Sequence, residues 1–374
     1  MAGVYDLYAS HFPAGVLHIM FAYVGCFTTA QRKARGHGIS VYRIDDASGT
    51  WSLVEVFETI ANPGYVALDS KQRFLYASHG DGDTVSAYAI DPRTHKLKFL
   101  NQQPSSGDNG PHLIVDPSDR YVVVANGPGI AVLPIQADGS LAPSTDAVVP
   151  PGKEGPYKRE QGLGAHPHQV VFDAGGRFLI SPDKGVDATH IYKLDVTSGK
   201  LVPNDPPLVK SRYGAGPRHL SFHPTRPFAY LINELDSTVT TYQWDALRGA
   251  LTPVHIIPTI PATFVGDNTG AEIAVAPSGQ FVYVSNRGHN SIATFAVNAT
   301  DGTLAPIGWE PTQGKKPRFF TLDPAAEKLY VANEDSDTIV AFKLDAASGK
   351  PLPTGLIIHT GSPSCIAFSR KKYQ

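Results

Sequence analysis

Apolar residues along this chain fall in short runs, rich in β-branched and aromatic types and separated by turn residues. One block recurs seven times: "NPGYVALDS" from residue 62, "GPHLIVDPS" from 110, "HPHQVVFDA" from 166, "GPRHLSFHP" from 216, "TGAEIAVAP" from 269, "KPRFFTLDP" from 316 and "SPSCIAFSR" from 362. Successive copies start 46 to 56 residues apart. Each copy but the last leads to a second apolar run ("FLYAS", "YVVVAN", "FLISPD", "FAYLINE", "FVYVSN", "KLYVAN"). A third run such as "TVTTYQWD" or "TIVAFKLD" follows, then a turn ("SGK", "DGT", "RGA") and a short fourth run.

Four short antiparallel strands repeating every 40 to 50 residues describe one blade of a β-propeller. A βαβ reading would need amphipathic segments of 3.6-residue period between strands, and none of convincing length is present. The opening runs "AYVGCF", "GISVYRID" and "WSLVEVF" form a blade that lacks its innermost strand. The terminal "SPSCIAF" is an innermost strand without its blade. The pattern therefore predicts an all-β, seven-bladed propeller of four-stranded antiparallel blades, closed by the C-terminal strand completing blade one, which removes a free edge. Residues 20–370 are expected to form that single domain and residues 1–19 a poorly ordered N-terminal extension.

Composition supports this picture. The chain has 374 residues, with 35 glycines, 31 prolines and only 18% charged residues, a turn-rich balance that suits many short strands. Its formal charge of −2 supplies no net attraction to nucleic acid or anionic lipid. No run approaches the ~18 apolar residues of a membrane helix, and the N-terminus lacks the charged region and cleavage site of a signal peptide. Two cysteines, Cys26 and Cys365, exclude a disulfide framework or a Cys-rich zinc site and predict buried thiols in a cytoplasmic protein. The histidines lack metal-ligand spacing such as H-E-x-x-H, so neither a metal nor another cofactor is expected.

In a propeller, innermost strands begin and second strands end beside the central funnel, where such folds usually carry a site. The innermost-strand starts bring there Gly64, His112, His168 with Gln169, Arg218 with His219, Glu272, Arg318 and Ser364. The second-strand ends bring Asp183, Glu234, Arg287 and Glu334, with His79 one step earlier. Arginine is seldom needed at a strand mouth unless it grips a carboxylate or phosphate, so the set suits an anionic substrate that also needs a proton moved. Bland roles compete: Arg318 and Glu334 as an ion pair, His223 as a turn histidine, and Asp69, Asp116, Asp173 and Asp323 as turn-formers. The loop of residues 151–169 carries Lys153, Lys158, Arg159 and Gln161. It is either a lid that touches a phosphate or a solvated linker.

The segments "AYVGCFT", "NPGYVALD", "HPHQVVFDAGGRFLISPDKGVD", "GAEIAVAPSGQFVYVSNRGHNSI" and "KPRFF" resemble the lactonase family of seven-bladed propellers over roughly residues 21–369. That family is named after the 6-phosphogluconolactonase of the pentose phosphate pathway and includes a fungal 3-carboxy-cis,cis-muconate lactonizing enzyme. The resemblance implies a catalytic set of His168, Arg218, Glu234 and Arg287. His112, Gln169, Asp183, His219, Glu272, Arg318 and Arg159 are then candidate substrate contacts. Two departures are visible: Ala274 replaces a histidine common in relatives, and blade three has a shortened "GPHL" opening and a very short second turn.

The leading expectation is hydrolysis of a sugar-type lactone, phosphorylated or not. Glu234 or His168 would activate water, while Arg218 and Arg287 hold the substrate's anionic group and offset the oxyanion. Ser364 lacks the G-x-S-x-G setting of a covalent nucleophile. The runner-up is a cycloisomerase that closes a carboxymuconate with the same residues, and a third reading is a non-catalytic interaction platform. The expected partner is a small anionic lactone or carboxylate, with no nucleic acid and no membrane, bound by a monomer or weak homo-oligomer.

Overall fold

The computed structural model describes residues 18–45, 48–58 and 61–372. Residues 1–17 lie outside it. Seven four-stranded antiparallel sheets form a ring. Six blades are built from consecutive strands, and blade one joins Pro363–Lys372 to His18–Cys26, Ile39–Ile44 and Trp51–Phe57. The boundary expected at residue 20 falls inside the first strand. His18 pairs with Lys372 and Ile19 with Lys371, so each terminal strand lengthens the other past its apolar core.

Second strands are buried along nearly their whole length because both faces are covered by neighbouring blades. Phe228–Asn233 is buried at all six positions. Outer strands such as Trp51–Phe57 are mostly exposed or half-buried, with Trp51 the one buried position of that strand. The core is accordingly divided among the blade joints. Phe178, Ile180 and Ile191 of blade four pack on Leu220, Leu231 and Trp244 of blade five, and Tyr230 and Ile232 pack on Val282 and Val284 of blade six. Each fully buried apolar side chain contributes roughly 1.5–3 kcal/mol, so the joints hold the ring.

Polar contacts repeat with the blades. Tyr76, Tyr230 and Tyr283 each donate from the phenol to the carbonyl of Gly139, Gly302 and Gly349 in the next blade, at 2.9–3.1 Å. Asp69, Asp116, Asp173 and Asp323 each accept two backbone N–H bonds across the first turn, as turn-formers do. His223 is a turn histidine too: its Nδ1 accepts from the amides of Thr225 and Arg226.

Most innermost strands are irregular at their funnel ends. Pro217 pairs with Asn233 but His219 with Ile232, so Arg218 is an extra residue in a bulge. The same shift isolates Gly64 and Arg318, and longer shifts precede His112 and surround Glu272. In blade four the regular strand shrinks to Val171–Phe172, with one bridge between Pro167 and Asp183. A bulge releases a residue from the ladder and re-aims its side chain. Arg218 and Arg318 thus reach the funnel from strands that otherwise build the core.

Candidate active site

The mouth of blade four is tied down first. Asp183 Oδ1 accepts from the amides of His166 (2.7 Å) and Gly185 (2.9 Å), and His168 N donates to Pro182 O (2.9 Å). Burial outweighs those hydrogen bonds and pushes the Asp183 carboxyl up to about 7. Asp183 therefore anchors the turn that presents His168.

His168, Arg218, Glu234 and Arg287 converge. Arg218 Nη1 lies 2.6 Å from His168 Nε2 and also bonds Glu234 Oε2, while its Nε donates to Ala271 O at 3.0 Å. Arg287 Nη2 lies 3.3 Å from Glu234 Oε2 and 3.0 Å from Gly270 O. A third cation, Lys184, reaches Glu234 Oε1 at 3.4 Å. Sequence reasoning did not single out Lys184. Its only signal was its place directly after Asp183, where the second strand of blade four leaves the sheet.

The charge states follow from these neighbours. Burial alone would raise the Glu234 carboxyl, but Lys184, Arg287 and Arg218 outweigh it and hold it well below the usual carboxylate range. Burial, reinforced by Arg218, His219 and Lys184, depresses His168 far below an ordinary histidine. Burial also pulls Arg218 down to about 9, which leaves it cationic at neutral pH. At pH 7 the site therefore pairs an ionised carboxylate, enclosed by three cations, with a neutral imidazole.

The remaining candidates divide. His219 Nε2 lies 3.2 Å from His168 Nδ1, and its Nδ1 lies 2.8 Å from Glu272 Oε1. His112 is buried against Tyr65, with ring centroids 4.1 Å apart, and meets His219 edge-on. Arg318 lines the funnel pocket with Arg218, His219, Glu272, Phe27 and Ser364. It lies over the Phe27 ring, and its nearest carboxylate oxygen is Glu334 Oε2 at 3.8 Å. Among the described residues Arg318 donates no hydrogen bond, whereas Arg218 and Arg287 both do.

Other candidates are engaged elsewhere. Gln169 Oε1 accepts from Leu220 N at 2.6 Å across the joint of blades four and five. Arg159 is not brought to the funnel: its side chain is 93% exposed on the short helix Lys158–Gln161, beside Glu160. Gln161, from the same helix, is the buried one, and its amide donates to Lys184 O and Asp187 Oδ1. Ser364 Oγ is held by Gly25 O and Gly64 O at 3.0 and 2.9 Å. Ala274 packs in the joint of blades six and seven, so that departure changes packing there and not the funnel wall.

A closed ring of seven four-stranded blades, with arginines, carboxylates and histidines gathered at one mouth, defines a β-propeller of the enzymatic kind. The family model described as "Lactonase, 7-bladed beta-propeller" matches residues 21–368, and the chain belongs to that family. It is 34% identical over 307 residues to a Bacillus subtilis protein named 6-phosphogluconolactonase, covering 81% of this chain and 84% of that one. A Formosa agariphila protein of the same name is 31% identical over 319 residues, covering 82% and 87%. Among solved structures, the Pseudomonas aeruginosa periplasmic gluconolactonase superposes with a TM-score of 0.85 at 31% identity, covering 94% of this chain and 99% of that one.

Proposed function

We propose that this protein hydrolyses a sugar-type lactone to its hydroxy acid. The observation that carries the reading is the neutral His168 imidazole held against the cations that surround Glu234. As Arg218 Nη1 turns from His168 Nε2 to the substrate oxygen, that imidazole nitrogen takes a proton from water, and the water oxygen bonds to the lactone carbonyl carbon. Arg218 and Arg287 stabilise the oxyanion, an effect typically worth about 3 kcal/mol per donor. The ring C–O bond then breaks, and the departing oxygen recovers the proton from His168. Glu234, whose depressed pKa makes it a weak base, acts by holding both guanidinium groups in place.

Arg318 takes the substrate's anionic group, because it is the funnel arginine whose donors are unoccupied. The relatives' names differ on whether that group is a phosphate. They favour lactone hydrolysis over muconate closure. The charged set lies in the funnel mouth, which also disfavours a pure interaction platform.

The test supplies 6-phosphogluconolactone, gluconolactone and 3-carboxy-cis,cis-muconate separately to the folded protein. Acid release is followed for the lactones and ultraviolet loss for the muconate. Faster acid release from one or both lactones is expected. No acid release above the spontaneous rate from either lactone would overturn the reading. Unpaired, buried Cys26 and Cys365 favour a reducing cytosol. One relative is named as periplasmic, so cell fractionation is the corresponding test. No described helix is long and apolar enough to cross a membrane. A monomer or weak homo-oligomer is proposed, to be checked by sedimentation.

A further inference from the structure

Three buried groups from three blades form a line behind the reacting imidazole: His168 from blade four, His219 from blade five and Glu272 from blade six. Each contact limits the next. A guanidinium N–H can only donate, so Arg218 Nη1 obliges His168 Nε2 to accept. The imidazole proton must then sit on Nδ1, which donates to His219 Nε2 at 3.2 Å. His219 in turn carries its proton on Nδ1 and donates to Glu272 Oε1 at 2.8 Å. That carboxylate oxygen is fixed by the amide of Ile273 at 3.1 Å, and the amide of Glu272 itself donates to Ser285 Oγ at 3.0 Å. A protonated His219 would reverse the middle contact and leave His168 two bonds to accept with one lone pair.

We infer that His219 and Glu272 are positioning residues that fix the tautomer of His168, keeping its Nε2 unprotonated where it meets Arg218 and placing a carboxylate where it offsets the imidazolium formed in the reaction. The line is a two-imidazole version of the principle that a base is oriented by a third group. It assigns His219 and Glu272 a role other than substrate contact. Burial lowers the pKa of both imidazoles, in keeping with two neutral rings. The charged and titratable groups facing His168 are Arg218, His219, Lys184 and His166. Those facing His219 are Glu272, Arg218, Arg318 and, through its ring edge, His112.

The catalytic use of His168 rests on the proposed lactonase reading, whereas the tautomer does not, and the two are tested separately. In 15N-labelled full-length protein at pH 7, long-range proton–nitrogen correlations report which nitrogen of each imidazole is protonated. The His168 signals are assigned by their loss in His168→Gln. Protonated Nδ1 and bare Nε2 are expected in both His168 and His219. A protonated Nε2 in either ring would overturn the inference, whatever the activity.

Kinetics supply the second arm. In metal sites, loss of a group that orients a ligating histidine typically costs about 10- to 100-fold, and the same scale is expected for an orienting group on this imidazole. His219→Leu is expected to lower kcat about 100-fold with little change in KM. His219→Gln, whose amide can accept from His168 and donate to Glu272, should recover most of the loss. Glu272→Gln removes the charge alone, and should move the acid limb of kcat/KM to lower pH because the imidazolium loses its counter-charge. Equal activity in the Leu and Gln variants, or an unmoved acid limb, would reduce His219 and Glu272 to packing.

Discussion

Blades five and seven carry the same words at the same places. Pro217–Arg218 and Asn233–Glu234 of blade five match Pro317–Arg318 and Asn333–Glu334 of blade seven, with the same pairing of proline to asparagine and the same bulge at the arginine. The outcomes differ. Arg218 bonds Glu234 directly and reaches His168, whereas Arg318 stands 3.8 Å from Glu334 and lies over Phe27. The difference begins at the residue before the proline. Gly216 has no side chain, so the carboxylate of Glu234 is left to Arg218, Arg287 and Lys184. Lys316 extends its ammonium to Glu334 Oε1 at 2.8 Å, which leaves Arg318 the longer 3.8 Å contact to Oε2. One motif thus yields a hydrogen-bonded arginine–carboxylate–imidazole cluster in one blade and, in the other, an arginine that only approaches its carboxylate, decided by neighbours that the motif does not contain.

Breaking the arginines should separate the two blades most widely. Arg218→Ala is expected to reduce kcat about 10³-fold, the upper range for losing one oxyanion donor. Arg318→Ala should leave kcat nearly unchanged and raise KM about tenfold for a phosphorylated lactone only. Steady-state kinetics on phosphorylated and neutral lactones check both.

The carboxylates should differ in stability. Glu234→Gln leaves three cations around an uncharged amide and is expected to cost about 3–5 kcal/mol. Glu334→Gln, whose main partner Lys316 is 37% exposed, should cost about 1 kcal/mol or less. Because the folded pKa of Glu234 lies below its ordinary 4.5, its ionised form stabilises the fold above that pH. The contribution is lost as pH falls further, through the folded value. Urea denaturation at pH 7, 5 and 3 should therefore show the Glu234→Gln deficit unchanged between the first two and smaller at the third.

The preceding residue supplies the smaller tests. Gly216 sits at φ +64°, and a Cβ there would lie 2.5 Å from Leu235 Cγ. Gly216→Ala is expected to cost about 2 kcal/mol by left-handed strain alone, and to reduce activity by shifting Arg218. Lys316→Gly runs the exchange the other way. It relaxes a lysine held at φ +57° and removes a half-exposed ion pair, so stability should move by about 1 kcal/mol or less. Released Glu334 would then hold Arg318 more closely than the present 3.8 Å and weaken binding of the anionic substrate, measurable as a raised KM.

The ring was legible because every strand must bury apolar residues, and a repeat of such strands can satisfy this only by packing blade on blade. Strand ends on the funnel face gave a longer inventory from which the family resemblance singled out His168, Arg218, Glu234 and Arg287, and the structure brings those four into contact. The bulges were not legible. An extra residue in a strand looks like any other until its partner is known, and the bulge is what turns Arg218 inward. Gln169 reads as a funnel residue, yet its amide completes a blade joint, because hydrogen-bond direction is set by a strand 51 residues away. Lys184 follows the anchored Asp183 and reads as a loop cation, while Arg159, more conspicuous in a basic loop, points to solvent.

The seam of the ring sets an order of events at the ribosome. His18–Cys26 is made before the six other blades, but the strand that covers its inner edge, Pro363–Lys372, is made after all of them. Blade one therefore waits with one side unsatisfied while six complete sheets are synthesised, a period in which it can recruit a foreign strand. The arrival of Pro363–Lys372, and not the folding of any internal blade, is the moment at which the toroid can lock.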